Sequence, residues 1–126
     1  MKRAAAVIIA VVFAAAPALV ASHADHATPM YGGHVAEAGL FQAELVDAAG
    51  LVMIHITKHG EPFATQGGKA VVTAQGPAKT VSLQLFPGGI NRFVAPGTLA
   101  NSGATSATAV ISLPGLPERT LQFKLE

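Results

Sequence analysis

Histidine and methionine residues two or four positions apart are the part of this sequence that could bind a metal ion. Met53 and His55 flank one residue in a segment of alternating polarity, so on a strand they would share a face about 6 to 7 Å apart. Met30 precedes His34 by four residues, and His34 follows a glycine pair that leaves its ring accessible. Thioether sulfur suits Cu(I), and imidazole suits both copper states and Zn(II). The pattern predicts a copper or zinc site at His34, Met53 and His55, with Met30 as a further ligand.

The N-terminal region adds His26 to this set, and every candidate also has a purely structural explanation. Asp25-His26 would lie beside a free amine after export and could bind Cu(II) or Zn(II). Met53 and His55 would equally well pack on a strand face, and His59 suits a turn. The segment 25–31 contains no β-patterned apolar run, which predicts a flexible arm. The metal-binding and structural explanations both stay open at the level of the sequence.

Motifs of the common catalytic classes are absent from the sequence. There is no Gly-x-Ser-x-Gly, no His-Glu-x-x-His, no phosphate-binding glycine loop and no cysteine. The seven acidic residues are scattered, and Glu37 and Glu44 sit among strand positions without an obvious partner, which favours solvated surface for both. We expect a protein that is not an enzyme.

The first 24 residues have the layout of a secretory signal peptide. Met1-Lys2-Arg3 is a short basic region, and the apolar run from Ala4 to Ala16 is shorter than the roughly 20 residues of a membrane-spanning helix. Pro17 follows the run, and Ser22-His23-Ala24 is the preferred cleavage site; an uncleaved anchor is the alternative. Cleavage removes two basic residues and leaves slightly more acidic than basic ones, so no basic patch indicates nucleic acid. We expect a periplasmic protein.

Beyond the arm, the sequence pattern predicts short strands separated by turn residues and no amphipathic helix of useful length. The predicted strands are 41–46, 51–57, 69–75, 80–86, 91–95, 105–113 and 120–125. Strands at this spacing over about 100 residues predict an all-β domain at 32–126, an antiparallel immunoglobulin-like β-sandwich of seven or eight short strands. Its predicted core contains Val52, Ile54, Ile56, Val81, Leu83, Leu85, Leu121 and Phe123.

Six segments in this order carry a family resemblance: "GGHVAEAG", "FQAELV", "LVMIHIT", "KHGEPFATQGGKAVV", "KTVSLQLFPGGINRFVA" and "LQFKL". They resemble small exported β-domain proteins associated with bacterial copper, cobalt, zinc and cadmium efflux, and the β-domain of some efflux adaptor proteins. The resemblance implies the fold and a periplasmic setting. Two positions depart from it, because relatives typically begin with His-Gly-Gly and have an aromatic residue and a histidine where this chain has Phe41-Gln42. Tyr31 here precedes Gly32-Gly33, and the histidine follows the pair.

Two functions of different classes fit these observations. One is a periplasmic accessory of heavy-metal efflux or homeostasis that binds copper or zinc ions weakly or transiently. The other is an interaction module without a metal, which docks on an efflux adaptor or another envelope protein through a strand edge or an apolar face. Four histidines and two methionines after residue 24 are not the dense ligand cluster of a dedicated metal carrier. The second function is therefore retained beside the first.

Overall fold

The computed structural model describes residues 28–126, so the predicted signal peptide and His26 lie outside the described residues. The all-β prediction is confirmed for this part of the chain, where the sheet is antiparallel throughout. The strands are β1 (His34–Glu37), β2 (Gln42–Ala48), β3 (Leu51–Lys58), β4 (Glu61–Pro62), β5 (Lys69–Gln75), β6 (Thr80–Pro87), β7 (Arg92–Pro96), β8 (Ser106–Ser112) and β9 (Arg119–Lys124). Seven of them coincide with the predicted strands to within one or two residues at each end. The short strands β1 and β4 were not predicted as separate strands. Within residues 28–126 no helix has the length and hydrophobicity needed to span a bilayer.

The nine strands form one sheet in the order β1-β2-β3-β7-β6-β5-β8-β9, with β4 paired to β3. β6 joins the two halves of this sheet: its residues 80–85 pair with β5, whereas Phe86 and Pro87 pair with Val94 and Phe93 of β7. The sheet curls until β1 approaches β9, and no backbone ladder joins these two strands among the described residues. The result is a nearly closed, barrel-like sheet.

Two hairpins of β3 have two-residue turns with left-handed backbone. Ala49 and Gly50 connect β2 to β3, and His59 and Gly60 connect β3 to β4, with φ values of 57°, 81°, 53° and 81°. Positive φ at both central residues is the turn geometry that matches the twist of paired strands. His59 is therefore a turn residue, as its structural explanation predicted.

The core lies between the two halves of the sheet and is formed mainly by alternate side chains of the strands other than β4, both residues of which are exposed. Six of the eight predicted core residues are fully buried, and Val81 and Leu83 are partly buried against them. Alanine fills much of the remaining interior, at positions 36, 38, 43, 70, 74, 95, 107 and 109. The stretch from Ala95 to Thr105, which its Gly, Ser, Asn and Ala content predicts to be the loosest connection, contains a short 3₁₀ turn at Ala100–Ser102. Asp47 fastens this loop to β2, because its Oδ2 accepts hydrogen bonds from Leu99 N at 2.7 Å and Thr98 Oγ1 at 3.0 Å.

Candidate functional site

The strand register assigns each residue of β2, β3 and β7 to one of two faces. His34, Leu45, Ile54 and Phe93 are successive partners across four strands, and the last three are buried in the core. The neighbouring row, Val35, Glu44, His55 and Arg92, therefore lies on the opposite side, which we call the outer face. The ionisable side chains of Glu44, His55 and Arg92 therefore lie side by side on the outer face.

One end of the outer face is covered by residues Thr28–Gly33, which we call the strap. Glu44 holds it: Oε1 accepts a hydrogen bond from Met30 N at 2.7 Å, and Oε2 accepts hydrogen bonds from Tyr31 N at 2.8 Å and Gly33 N at 2.7 Å. The Glu44 side chain is only 5% exposed, so three backbone donors replace the water that its carboxylate loses. Gly33 is required by close approach, since a Cβ there would overlap the carbonyl oxygen of Leu45.

Tyr31 extends the strap onto His55. Their rings are stacked with centroids 3.7 Å apart and planes 7° from parallel. Asn91 supports the arrangement from β7's side, because its Nδ2 donates to the carbonyl of Ile56 at 3.0 Å and lies 3.5 Å from the Tyr31 hydroxyl. The strap is thus held in two ways: the Glu44 carboxylate binds its backbone amides, and the Tyr31 ring stacks on His55.

His55, beneath the strap, lacks one hydrogen bond and has a lowered pKa. Its Nδ1 is buried and is the one buried side-chain nitrogen or oxygen within residues 28–126 that has no hydrogen-bond partner. Burial lowers the pKa of His55, the Glu44 carboxylate raises it, and the Arg92 guanidinium lowers it further, with a net lowering from 6.5. The lowered pKa favours the neutral imidazole, which is the form that coordinates metals.

A small cleft of about 260 Å³ lies between the strap and the sheet. Its walls come from strap residues Thr28, Met30 and Tyr31 and from outer-face residues, among them Gln42, His55 and Thr57. The cleft is lined by both polar and apolar groups, and the Glu44 carboxylate in its wall already has its three backbone partners. The cleft is therefore a small crevice beneath the strap, lined in part by His55.

Arg92 lies beside the strap on the next strand. Its Nε donates to the carbonyl of Gly88 at 2.6 Å, and its Nη1 lies 3.6 Å from the sulfur of Met53. Gly88 N in turn donates to Arg92 O at 2.9 Å, so backbone and side chain together close the β6–β7 hairpin. A Cβ at Gly88 would overlap the Val94 side chain, which explains why this corner needs glycine.

Past Arg92 the outer face is apolar and has no cover among the described residues. Val46, Met53, Val94 and Phe86 are successive partners on β2, β3, β7 and β6, and we call them the apolar row. The first three are partly exposed, and Phe86 is 56% exposed. Ile90, at the tip of the β6–β7 hairpin, is more exposed still at 79% but lies outside the row.

The predicted metal ligands are distributed over two faces. Met53 and His55 share the outer face as the alternation predicted, whereas His34 lies on the side of the core-facing row with Leu45. Met30 is 58% exposed in the strap, and its backbone, not its sulfur, makes the contact with Glu44. Residues 28–31, the described part of the predicted flexible arm, contribute two of the three amides bound by Glu44. Within residues 28–126 no three His, Asp or Glu side chains are grouped closely enough to hold a metal ion.

Sequence reasoning missed Glu44, Tyr31 and Arg92 as parts of one site, and assigned Glu44 to solvated surface. The structure buries Glu44 because its partners are backbone amides 11 to 14 residues earlier, which no side-chain pattern encodes. The available signal was a single carboxylate in "FQAELV", a segment whose only other polar residue is Gln42.

No protein-family model, no curated protein and no solved structure matches this chain. Function is therefore inferred from the geometry of the site itself.

Proposed function

We propose that this protein is an interaction module that binds another protein of the bacterial envelope through the apolar row. The observation that carries the proposal is the contrast within one sheet face: the strap covers Glu44 and His55, while Phe86 and its row neighbours stay exposed. Aromatic residues, methionine and arginine are the types enriched at protein interfaces, and Phe86, Met53 and Arg92 bring all three together. Docking on this face requires no rearrangement of the core.

The architecture proposed from the sequence, an immunoglobulin-like sandwich, is part of this proposal. Its support is that β1-β2-β3-β7 and β6-β5-β8-β9 form two antiparallel halves around a common core, and that within residues 28–126 only two residue pairs, of β6 and β7, join them by strand pairing. Strands that pass from one layer to the other form the corners of orthogonally packed sheets. In that arrangement the outer face of the first half is free to bind a partner.

The periplasm and an efflux adaptor are the setting and the partner that the sequence proposes. The setting rests on the signal-peptide pattern of residues 1–24, and the partner rests on the family resemblance.

A peptide selection tests the proposal directly. A random 12-residue library displayed on phage is selected on the domain beginning at Asp25, and the peptides obtained are measured against Phe86→Thr, in which threonine keeps the strand preference. Ile90→Thr is the matched control, because it removes the more exposed apolar side chain outside the row. We expect Phe86→Thr to weaken binding and Ile90→Thr to leave it unchanged. Failure to obtain any peptide that depends on Phe86 would refute the proposal.

Weak or transient metal binding is the second candidate, and His55 is the observation that favours it. Its neutral imidazole has an unpartnered nitrogen, and Met53 lies on the same face two residues away. Arg92 weighs against it, because a guanidinium 3.6 Å from the Met53 sulfur places a positive charge where a cation would bind. The donor set therefore fits a soft cation only if Arg92 moves.

Titration with Cu(I), Cu(II) and Zn(II), followed by calorimetry, decides this second candidate. We expect the double variant Met53→Ala/His55→Ala to lose affinity if the site exists, with His59→Ala as the control on a turn. Equal affinity in the parent and the double variant would exclude this site.

A further inference from the structure

We infer that the segment bound by the apolar row carries a carboxylate, and that Arg92 is the residue that binds it. This inference rests on the proposed function and adds the chemistry of the partner: an acidic side chain, or a terminal carboxylate, next to apolar residues. Three properties of Arg92 support it, namely its hydrogen bonding, its electrostatic surroundings and its position beside the row.

The hydrogen bonds of Arg92 leave part of its guanidinium available. Its two contacts within residues 28–126 go to a carbonyl oxygen and to a thioether sulfur, which is a weak acceptor. A guanidinium has five N–H donors in a rigid fork whose geometry matches a carboxylate. The bond from Nε to Gly88 O fixes the plane of the fork, so the group is ordered before a ligand arrives.

Within residues 28–126, the outer-face row that contains Arg92 does not balance its positive charge. In its row on the outer face, the neighbour is His55, whose pKa is lowered, and the carboxylate beyond it is Glu44. Glu44 is buried and already accepts three backbone hydrogen bonds from the strap. The only carboxylate in the row is therefore committed elsewhere, and a negatively charged partner complements the positive charge at Arg92.

The position of Arg92 joins this charge to an apolar surface. Its guanidinium touches Met53, and its strand neighbour two residues on is Val94, which pairs with Phe86. A carboxylate on Arg92 thus places the adjacent residues of the same segment over the apolar row. Burial of the surrounding apolar groups strengthens such a charged hydrogen bond by excluding water.

The experiment uses a small probe whose charge can be removed without changing its shape. NMR spectra of the domain beginning at Asp25 are recorded with increasing 3-phenylpropionate, and with the uncharged 3-phenylpropionamide. We expect the carboxylate to shift the Arg92 Nε–Hε signal and the Phe86 ring signals in a saturable way, and the amide to bind at least about tenfold more weakly, as expected for loss of a charged hydrogen bond. Equal binding of acid and amide would overturn the inference, whatever the behaviour of any variant.

Variants then assign the effect to Arg92. Arg92→Gln removes the charge, Arg92→Lys keeps the charge without the fork, and Arg119→Gln removes the arginine of β9 as a control. We expect carboxylate binding to be lost in the first, reduced in the second and retained in the third. Thermal unfolding of each variant shows whether loss of the Gly88 contact has affected the fold. Retained binding in a folded Arg92→Gln protein would overturn the inference.

The selected phage peptides separate this inference from the function on which it rests. Peptides that depend on Phe86, are enriched in Asp or Glu and lose affinity in Arg92→Gln support both. Peptides that depend on Phe86 but are neutral and insensitive to Arg92→Gln overturn the inference and leave the proposed function standing. A concentration-dependent dimer that Phe86→Thr abolishes would identify a second copy of this chain as the occupant in place of another envelope protein. Such a dimer would overturn the inference if it survives Arg92→Gln, and would support it if Arg92→Gln dissociates it.

Discussion

The two faces of β3 show how one sequence pattern leads to two different environments. Val52, Ile54 and Ile56 alternate with Met53 and His55, and the first three are completely buried in the core. The other two lie on the outer face, where His55 is covered by the strap and Met53 stays partly exposed. The alternation assigns residues to faces, but it does not determine what covers a face.

The inner face should be the more sensitive to truncation. Ile54→Ala removes a fully buried side chain and should lower the free energy of unfolding by about 2 to 5 kcal/mol. Met53→Ala on the outer face should cost clearly less, since that side chain is already partly hydrated. Urea denaturation of both variants measures the difference, and an equal loss in the two would mean that the outer row is packed as tightly as the core.

The covered part of the outer face should depend on the charge of Glu44. In Glu44→Gln one oxygen becomes an NH₂ group that faces a backbone N–H, so a buried donor loses its acceptor at a cost of about 1 to 3 kcal/mol. We expect faster amide hydrogen exchange at Met30, Tyr31 and Gly33, with exchange in β8 unchanged. Glu37→Gln is the control. Unchanged exchange in the strap would show that it is held by the Tyr31–His55 stack alone.

Burial of His55 under the strap should make the free energy of unfolding depend on pH. Because the pKa of His55 is lowered in the folded protein, the unfolded chain takes up a proton first as the pH falls below 6.5. This group should therefore reduce the free energy of unfolding between pH 6.5 and its lowered folded pKa, and should have no effect above that window. Stability curves from pH 7.5 to 5 should be flatter in His55→Asn than in the parent, whereas His59→Asn in the exposed turn should follow the parent. A parent curve no steeper than that of His55→Asn would contradict the burial of this imidazole.

The uncovered part of the outer face should hardly matter to stability. Phe86 is more than half exposed, so Phe86→Thr should change the free energy of unfolding by no more than about 0.5 kcal/mol. Chemical denaturation of this variant beside Ile90→Thr is a sufficient test. A large loss would mean that Phe86 is a structural residue, and the peptide selection would then need a second variant in the row, Val94→Thr.

Much of the fold could be predicted because it depends on local patterns. The period of two from Leu51 to Thr57 predicted the strand and both of its faces, and Asp47-Ala48-Ala49-Gly50 predicted the turn before it. β1 was missed as a strand because it has only four residues and pairs with a neighbour that must already be in place. Arg92 and Met53 are 39 residues apart and meet only through strand pairing, so their contact is not visible in the sequence.

The division of β6 between two partners has a consequence for how the domain opens. Thr80 to Leu85 belong by hydrogen bonding to β5, while Phe86 and Pro87 belong to β7. Elements that share few hydrogen bonds tend to unfold as separate cooperative units. The boundary between two such units therefore falls inside a single continuous strand, between Leu85 and Phe86. The apolar row lies on the side of the boundary that contains β7. Local unfolding of that half would disrupt the apolar row while β5, β8 and β9 stay folded.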